Sequence, residues 1–324
     1  MRSMKVLVAV FMVIGAVNWA QAEPMEIKLG HINQPGSLID IECQEYAKRA
    51  NAKLGDMAKV VVYNAAQLGN DKDQVNRLKL GTQHIALPSS LMTSILSIAG
   101  VYDMPYLISD RKHADLARDK VILPAINPPL EKKGYKVIAM WENGFRQITN
   151  SSKPVNTPAD LKGIKLRVPE GEWRFKMFQA YGANPTPMTF NEVFVALQTK
   201  VIDGQENPLA QIYSAKLQEV QKYLSITNHV YTPMYVTVGV QKWNTLPADV
   251  RKVLEEVAVE IQDFSAQTGE AMDKDIIEKL KIAMVVNVAD REAFIKASAP
   301  IYEEFGQKVP EGKQLVADVL ALGK

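Results

Sequence analysis

Gly163-Ile164-Lys165-Leu166-Arg167-Val168-Pro169-Glu170 is the stretch on which the reading of this chain turns. Ile164, Leu166 and Val168 alternate with Lys165 and Arg167, which is the period of a strand. The apolar trio turns one way and Arg167 the other. Pro169 cannot continue a central strand, so the run stops there and leaves Arg167 at its carboxyl end. In open α/β sheets, ligands bind at that end. A guanidinium placed there offers a rigid fork that matches a carboxylate bidentately. Taken by itself, the octapeptide also allows a structural ion pair or a solvated side chain.

Upstream, Met25 to His31 reads as a strand, Ser37 to Lys53 as a helix and Ala58 to Tyr63 as a second, Val-rich strand. Asp71 to Leu80 is a helix ended by Gly81, and His84 to Leu87 is a short buried strand. This βαβαβ rhythm implies a parallel sheet with helices on its faces. Helical segments follow from Arg111 to Lys132, closed by Gly134, and Tyr135 to Trp141 is another strand. Thr157 to Gly163 is a one-turn helix with Thr as cap and Pro in its first turn. Glu172 to Tyr181 is a helix stopped by Gly182. Thr189 and Glu192 form a capping box for a helix through Gln198, and Asn207-Pro208 opens another in the cap-then-proline manner.

Val230 to Val240 is a long strand-like run. Pro247 to about Lys281 is one helical pattern with only Gly269 inside it, longer than a lobe is wide. Ala283 to Val288 is a last strand, followed by helices from Arg291 and Gly312. Two βα series without a linker between them predict an α/β chain of two interleaved lobes, with the long helix bracing both.

The first residues read as an export signal. Arg2 and Lys5 make a basic start, Val6 to Val17 is an apolar run too short for a membrane span, and Ala20-Gln21-Ala22 is a small-x-small cleavage site. Cleavage after Ala22 predicts an exported, periplasmic chain beginning at Glu23, with no membrane insertion afterwards. Of 324 residues, 302 then remain, enough for two lobes, and the single cysteine, Cys43, leaves a packed core rather than a disulfide to stabilise them. The 38 basic and 36 acidic residues fall to 36 of each once Arg2 and Lys5 are removed. A mature net charge near zero argues against nucleic acid or an anionic membrane as partner. There is no nucleotide loop, dinucleotide turn, nucleophile elbow or zinc-type His pair, and His31, His84, His113 and His229 share no metal-ligand spacing. No cofactor and no metal is expected.

Six ordered segments carry a family likeness: Ala66-Gln67-Leu68-Gly69, Met104-Pro105-Tyr106-Leu107, Gly144-Phe145-Arg146-Gln147-Ile148-Thr149-Asn150, Lys165 to Pro169, Gly182 to Met188, and Val201-Ile202-Asp203-Gly204-Gln205-Glu206-Asn207-Pro208. Across nearly the whole mature chain the sequence resembles the extracytoplasmic solute-binding subunits of TRAP (tripartite ATP-independent periplasmic) transporters. The resemblance implies a periplasmic-binding-protein-like flytrap: lobe I from 23–143 plus 233–272, lobe II from 144–232 plus 273–324, and a ligand cleft between them. It implies a small organic carboxylate as ligand and separate TRAP membrane subunits, coupled to an ion gradient, as partners.

By the same resemblance Arg167 is the principal carboxylate-binding arginine and Arg146 a second one that assists, unless Arg146 makes a lobe–lobe salt bridge. Asn207 lies near the carboxylate, caps its helix, or does both. Phe190 is an aromatic contact or plain core. Glu170 falls where ligand hydroxyls or amines are touched. Trp173 is a pocket wall or a surface ring. Leu87-Pro88-Ser89-Ser90-Leu91 lacks the acid and arginine of the sialic-acid-binding branch, which argues against sialic acid, while Ser89 remains a ligand contact. Trp173 and Phe190 together would suit a compact or ring-bearing acid. Two rivals remain: an exported lyase using Glu170 or Glu206 as base, and a protein presenting acids to a sensor.

Overall fold

Local chemistry starts and stops the elements much as the sequence predicts. Ser37 accepts a hydrogen bond from the Asp40 amide at 3.2 Å and so opens the helix Leu38–Leu54. Asn70 and Asp73 exchange side-chain-to-backbone bonds at 3.0 and 3.1 Å to open Asp71–Leu80, which Gly81 ends in the left-handed conformation at φ 72°. In the computed structural model, which describes residues 23–323, these elements assemble around ten strands. They are β1 (Met25–Gly30), β2 (Ala58–Tyr63), β3 (Ile85–Ala86), β4 (Tyr135–Asn150), β5 (Lys165–Val168), β6 (Asn184–Pro187), β7 (Gly204–Pro208), β8 (Tyr223–Ile226), β9 (Tyr231–Gly239) and β10 (Val285–Val288). The export signal read at residues 1–22 lies outside the described residues. Among those described, no helix is long and apolar enough to cross a membrane.

The strand order is β2-β1-β3-β9-β4-β7-β5-β6, with β8 joining β4 and β10 joining β8. Strand β4 belongs to both halves. Its first part, Tyr135 to Phe145, pairs antiparallel with β9, with register shifts at Val137/Ala139 and Glu142/Gly144. Its last part, Arg146 to Asn150, pairs antiparallel with β7, and Ile148 to Asn150 also with β8. Strands β1, β2 and β3 run parallel in the first half, as do β5, β6 and β7 in the second. The sequence predicts β4 only to Trp141. The observed strand runs on because Glu142 to Asn150, though largely polar, is buried between the two halves with its polar groups paired.

The helix Ala248–Ala283 is a single element of 36 residues. Leu254, Val257 and Ile261 pack with Ile27, Leu29 and Trp141 in the core of the first half. Ile276 and Leu280 pack with Leu209, Ile212 and Leu224 in the second. The expected brace is therefore present. The expected division of the chain puts 273–324 in the second lobe, but the helix Gly312–Leu322 packs elsewhere. Leu315, Val316 and Val319 share a core with Ala117, Ile122 and Ile126, and the Val319 carbonyl lies 2.8 Å from Nε2 of His113.

Gly269 has a reason to stand inside the long helix. A Cβ there would meet Cγ of Glu142 at 2.6 Å. That side chain cannot swing away, because Arg111 Nε donates to it at 2.9 Å and the Tyr231 hydroxyl at 2.7 Å. In an open helix Gly→Ala stabilises by about 1 kcal/mol. Here overpacking wins, and we expect Gly269→Ala to destabilise by about 1–3 kcal/mol, read as a lower denaturation midpoint with unchanged m-value. A raised midpoint would show that the β4 crossing is loosely packed.

Candidate functional site

The carboxyl ends of the parallel strands in both halves open onto one cavity. Asn33 follows β1, Ser89 and Ser90 follow β3, Arg167 sits near the end of β5, Met188 follows β6 and Asn207 is near the end of β7. Both sheets thus present to this cavity the strand ends that the sequence singled out at β5.

Arg167 is 3% exposed. Its Nε and Nη2 both donate to the Met188 carbonyl, at 2.9 and 2.6 Å, and the Phe190 ring centroid is 5.9 Å from its Cζ. No carboxylate lies within ion-pair distance of it among the described residues, and its Nη1 has no protein partner there. Burial, reinforced by the nearby charge of Arg146, pushes its pKa down to about 9. The cavity thus has in its lining a buried guanidinium whose one protein partner among the described residues is a carbonyl.

Arg146 is a lining residue and a member of a buried ion network. It pairs through Nε with Glu206, and its Nη2 donates to Glu206 Oε1 at 3.0 Å and to Asn207 Oδ1 at 2.9 Å. Arg174 donates to both carboxylate oxygens of Glu206, at 3.0 and 2.8 Å, and reaches Asp103 at 2.6 Å. His229 Nε2 lies 3.0 Å from Glu206. Burial would raise the Glu206 carboxyl, but the two guanidiniums and His229 hold it well below the usual carboxylate range. Burial drives His229 down to about 4 against the pull of Glu206, so the neutral ring donates from Nε2 while Nδ1 faces the Thr227 hydroxyl at 2.8 Å. In this nearly dry cluster three guanidiniums, of Arg146, Arg167 and Arg174, face two carboxylates, of Asp103 and Glu206. The excess of one positive charge falls at Arg167.

The other sequence-predicted residues divide. Phe190 and Glu170 line the cavity, both half-buried. Ser89 also lines it, but its hydroxyl donates to the Pro233 carbonyl at 2.9 Å, next to the β4–β9 crossing. Asn207 lines the cavity from within β7 and caps nothing, because the following helix starts at Leu209 with Pro208 before it. Its carboxamide oxygen takes the Arg146 bond instead. Thr189 makes no cap to a backbone amide. Its hydroxyl bonds Glu192 across a one-turn Phe190–Glu192 segment that precedes the helix Val193–Gln198.

Trp173 must be corrected. It is neither pocket wall nor surface ring but 1% exposed core, with its ring 5.0 Å from that of Phe305 and against Gly100. Helix Glu172–Ala180 turns it toward the C-terminal helices, while its neighbour Arg174 reaches the ion network.

Sequence reasoning missed Asn33, Asp71, Ser90, Asn143 and Gln211 in the lining. Asn33 and Ser90 had a usable signal, since they lie just past β1 and β3, where the strand-end rule points, and Asp71 opens the helix that follows β2. Asn143 and Gln211 had none. Gln211 donates to Asn143 at 2.9 Å and Asn143 to Thr232 at 3.1 Å, a chain of amides visible only once β4 and β9 are paired.

Comparison with known proteins places this geometry. The family model described as bacterial extracellular solute-binding protein, family 7 (DctP), matches residues 29–308. The 2,3-diketo-L-gulonate-binding periplasmic protein YiaO of Escherichia coli (strain K12) is 36% identical over 265 residues, 81% of each chain. The crystal structure of the sugar acid binding protein DctPAm from Advenella mimigardefordensis in complex with galactonate superposes with a TM-score of 0.88 at 33% identity, covering 93% of this chain and 98% of that one. A TRAP periplasmic solute-binding protein from Sulfurospirillum deleyianum with bound succinate also gives 0.88, at 28% identity, over 93% of this chain and 100% of that one. The cavity at the strand ends, the long brace and these matches lead to one conclusion: the chain belongs to the DctP family of bacterial extracellular solute-binding proteins.

Proposed function

We propose that this chain captures a small organic acid between its two lobes and delivers it to TRAP membrane subunits for uptake, acting in the periplasm after cleavage following Ala22. The observation that carries the reading is Arg167, a buried guanidinium with a single carbonyl for partner and a cavity before it. A ligand carboxylate supplies the charge that the buried cluster lacks. Arg146 stands beside it, held by Glu206, and Asn207 is held by Arg146 and Gln205, so both side chains are oriented before the ligand arrives. Closing the lobes excludes water and strengthens each charged contact. The open and closed arrangements then need differ by only a few kcal/mol for ligand to favour the closed one.

The relatives named above are binding proteins, which accords with a chain that performs no chemistry on its ligand. The lyase reading also loses one of its two candidate bases. Glu206 is saturated by two guanidiniums and held deprotonated well below the usual range, which makes it a weak proton acceptor.

The test is a thermal-shift screen of residues 23–324 against organic acids, each paired with its uncharged amide. An acid at 100 times its Kd adds about 2.7 kcal/mol of stability and raises the melting temperature, while its amide does not. Equal shifts from acid and amide would remove the arginine clamp. No shift from any acid, with no ligand released on denaturation, would remove the capture reading.

A further inference from the structure

The part of the lining that follows β1 and β3 has a chemistry of its own. Asn33 is 1% exposed, and both its side-chain oxygen and its side-chain nitrogen lack any hydrogen-bond partner. Ser90 is 6% exposed, and its hydroxyl is likewise without one. Both residues line the cavity. A buried polar group left unpaired costs about 1–3 kcal/mol, so two such side chains are waiting for donors and acceptors from elsewhere. They come from the ends of two parallel strands, β1 and β3, of the half that does not carry Arg167.

The lining outside the two arginines carries the opposite charge. Asp71 and Glu170 are the two acids of the lining, and among the described residues Arg146 and Arg167 are its only cations. Arg146 is already neutralised by Glu206. One ligand carboxylate satisfies Arg167, and a second would find no cation and two acids. Apolar surface is scarce as well: with Trp173 in the core, Phe190 is the one aromatic ring in the lining among the described residues. That removes the sequence-based lean toward a ring-bearing acid.

We infer that the ligand is a polyhydroxylated monocarboxylate of sugar-acid type, its carboxylate on Arg167 and its hydroxyls on Asn33, Ser90, Asp71 and Glu170, and that these four residues select it over dicarboxylates and unhydroxylated acids. A hydroxyl is both donor and acceptor, so a chain of them serves the Asn33 amide, the Ser90 hydroxyl and the two carboxyls together. Burial pushes the Asp71 carboxyl up to about 7 against the pull of Arg167, which lets it take either role toward a hydroxyl near neutrality. A site built to hydrogen-bond a substrate hydroxyl rejects the analogue lacking it strongly, because its own groups are then left unpaired.

The inference rests on the carboxylate reading above, and calorimetric titration separates the two. The panel is a set of hexonates and tetronates of both configurations, the unhydroxylated hexanoate and butyrate, and the dicarboxylates succinate and malate. The expected result is that at least one hydroxylated acid binds, and that its unhydroxylated partner and both dicarboxylates bind at least 100-fold more weakly. Ser90→Ala and Asn33→Ala should each weaken the hydroxylated acid about 10-fold or more. They should leave the melting temperature of the ligand-free chain unchanged or raise it, since each removes an unpaired buried group. Binding of hexanoate or succinate as tight as the best hydroxy acid overturns this inference and leaves the arginine clamp standing. Unchanged affinity in both variants does the same. No binding by any acid overturns both readings.

Discussion

Arg167→Ala should abolish measurable acid binding while the chain remains folded. Removing one member of a desolvated charge pair costs about 2–5 kcal/mol, or roughly 30-fold to several thousand-fold in Kd. Arg167→Lys should lose nearly as much. The arginine spends Nε and Nη2 on the Met188 carbonyl and keeps the rest of its fork for the ligand, a division that a point-like ammonium cannot reproduce. The ligand-free protein should behave in the opposite sense. Arg167 is buried without an acidic partner, so Arg167→Ala should leave the unliganded melting temperature unchanged or raise it. Phe190→Ala, which removes a half-buried ring at the cavity edge, should cost less affinity than Arg167→Ala. An Arg167 variant of unchanged affinity would sink the clamp. A reversed order would mean that apolar contact, and not charge, dominates the site.

Glu206→Gln should be among the most destabilising single changes in the chain. The carboxylate is the shared partner of Arg146 and Arg174 and the acceptor for His229, all of them buried. Breaking a buried pair by neutralising one side costs about 3–5 kcal/mol, because the remaining charges stay in the dry interior. Denaturant titration should show the midpoint fall by that amount. The pH dependence gives an independent check. The folded carboxyl is held below its unfolded value of about 4.3, so the unfolded chain takes up the proton first as pH drops. The stabilisation is fully present above that unfolded value and is lost progressively as pH falls below it. In Glu206→Gln this acid limb should flatten. An unchanged midpoint and an unchanged acid limb together would mean that the network is solvated and carries no stability.

The elements that could be read from the sequence are those whose burial is apolar. Leu166 and Val168 place β5 within a residue, and the long helix shows its length because Leu254, Ile261, Ile276 and Leu280 recur on one face. Strand β7 is Gly204-Gln205-Glu206-Asn207-Pro208, five buried residues with the Pro208 ring as the one apolar side chain, so hydrophobic periodicity cannot find it. The second half of β4 is hidden for the same reason. Asn207 was misplaced as a helix cap because Asn before Pro is a cap signal, and only the pairing of β7 with β4, Asn207 opposite Gln147, overrides it. Trp173 followed helix spacing correctly but faced the wrong neighbour. Its side of the helix is decided by Phe305, more than a hundred residues away, which no local pattern contains. Arg167 was legible because its strand was apolar and its terminator was a proline. Its lack of a counter-ion was not, since that is a property of the assembled cluster.

Strand β9 bears on how the chain reaches this state. It inserts between β3 and β4, so residues 231–239 complete a sheet whose first members are residues 25–86. The partners of Ile85 and Ala86 are Val238 and Thr237, and Tyr46 is fixed by the Leu254 carbonyl. Neither half is a contiguous segment, so an emerging polypeptide cannot finish the first before most of the second has appeared. Pairing across such sequence distances makes folding slow and leaves the growing chain without a stable intermediate lobe. A molecule wired in this way stays pliable until it is nearly whole, which is the condition a polypeptide must meet to be threaded through a narrow pore.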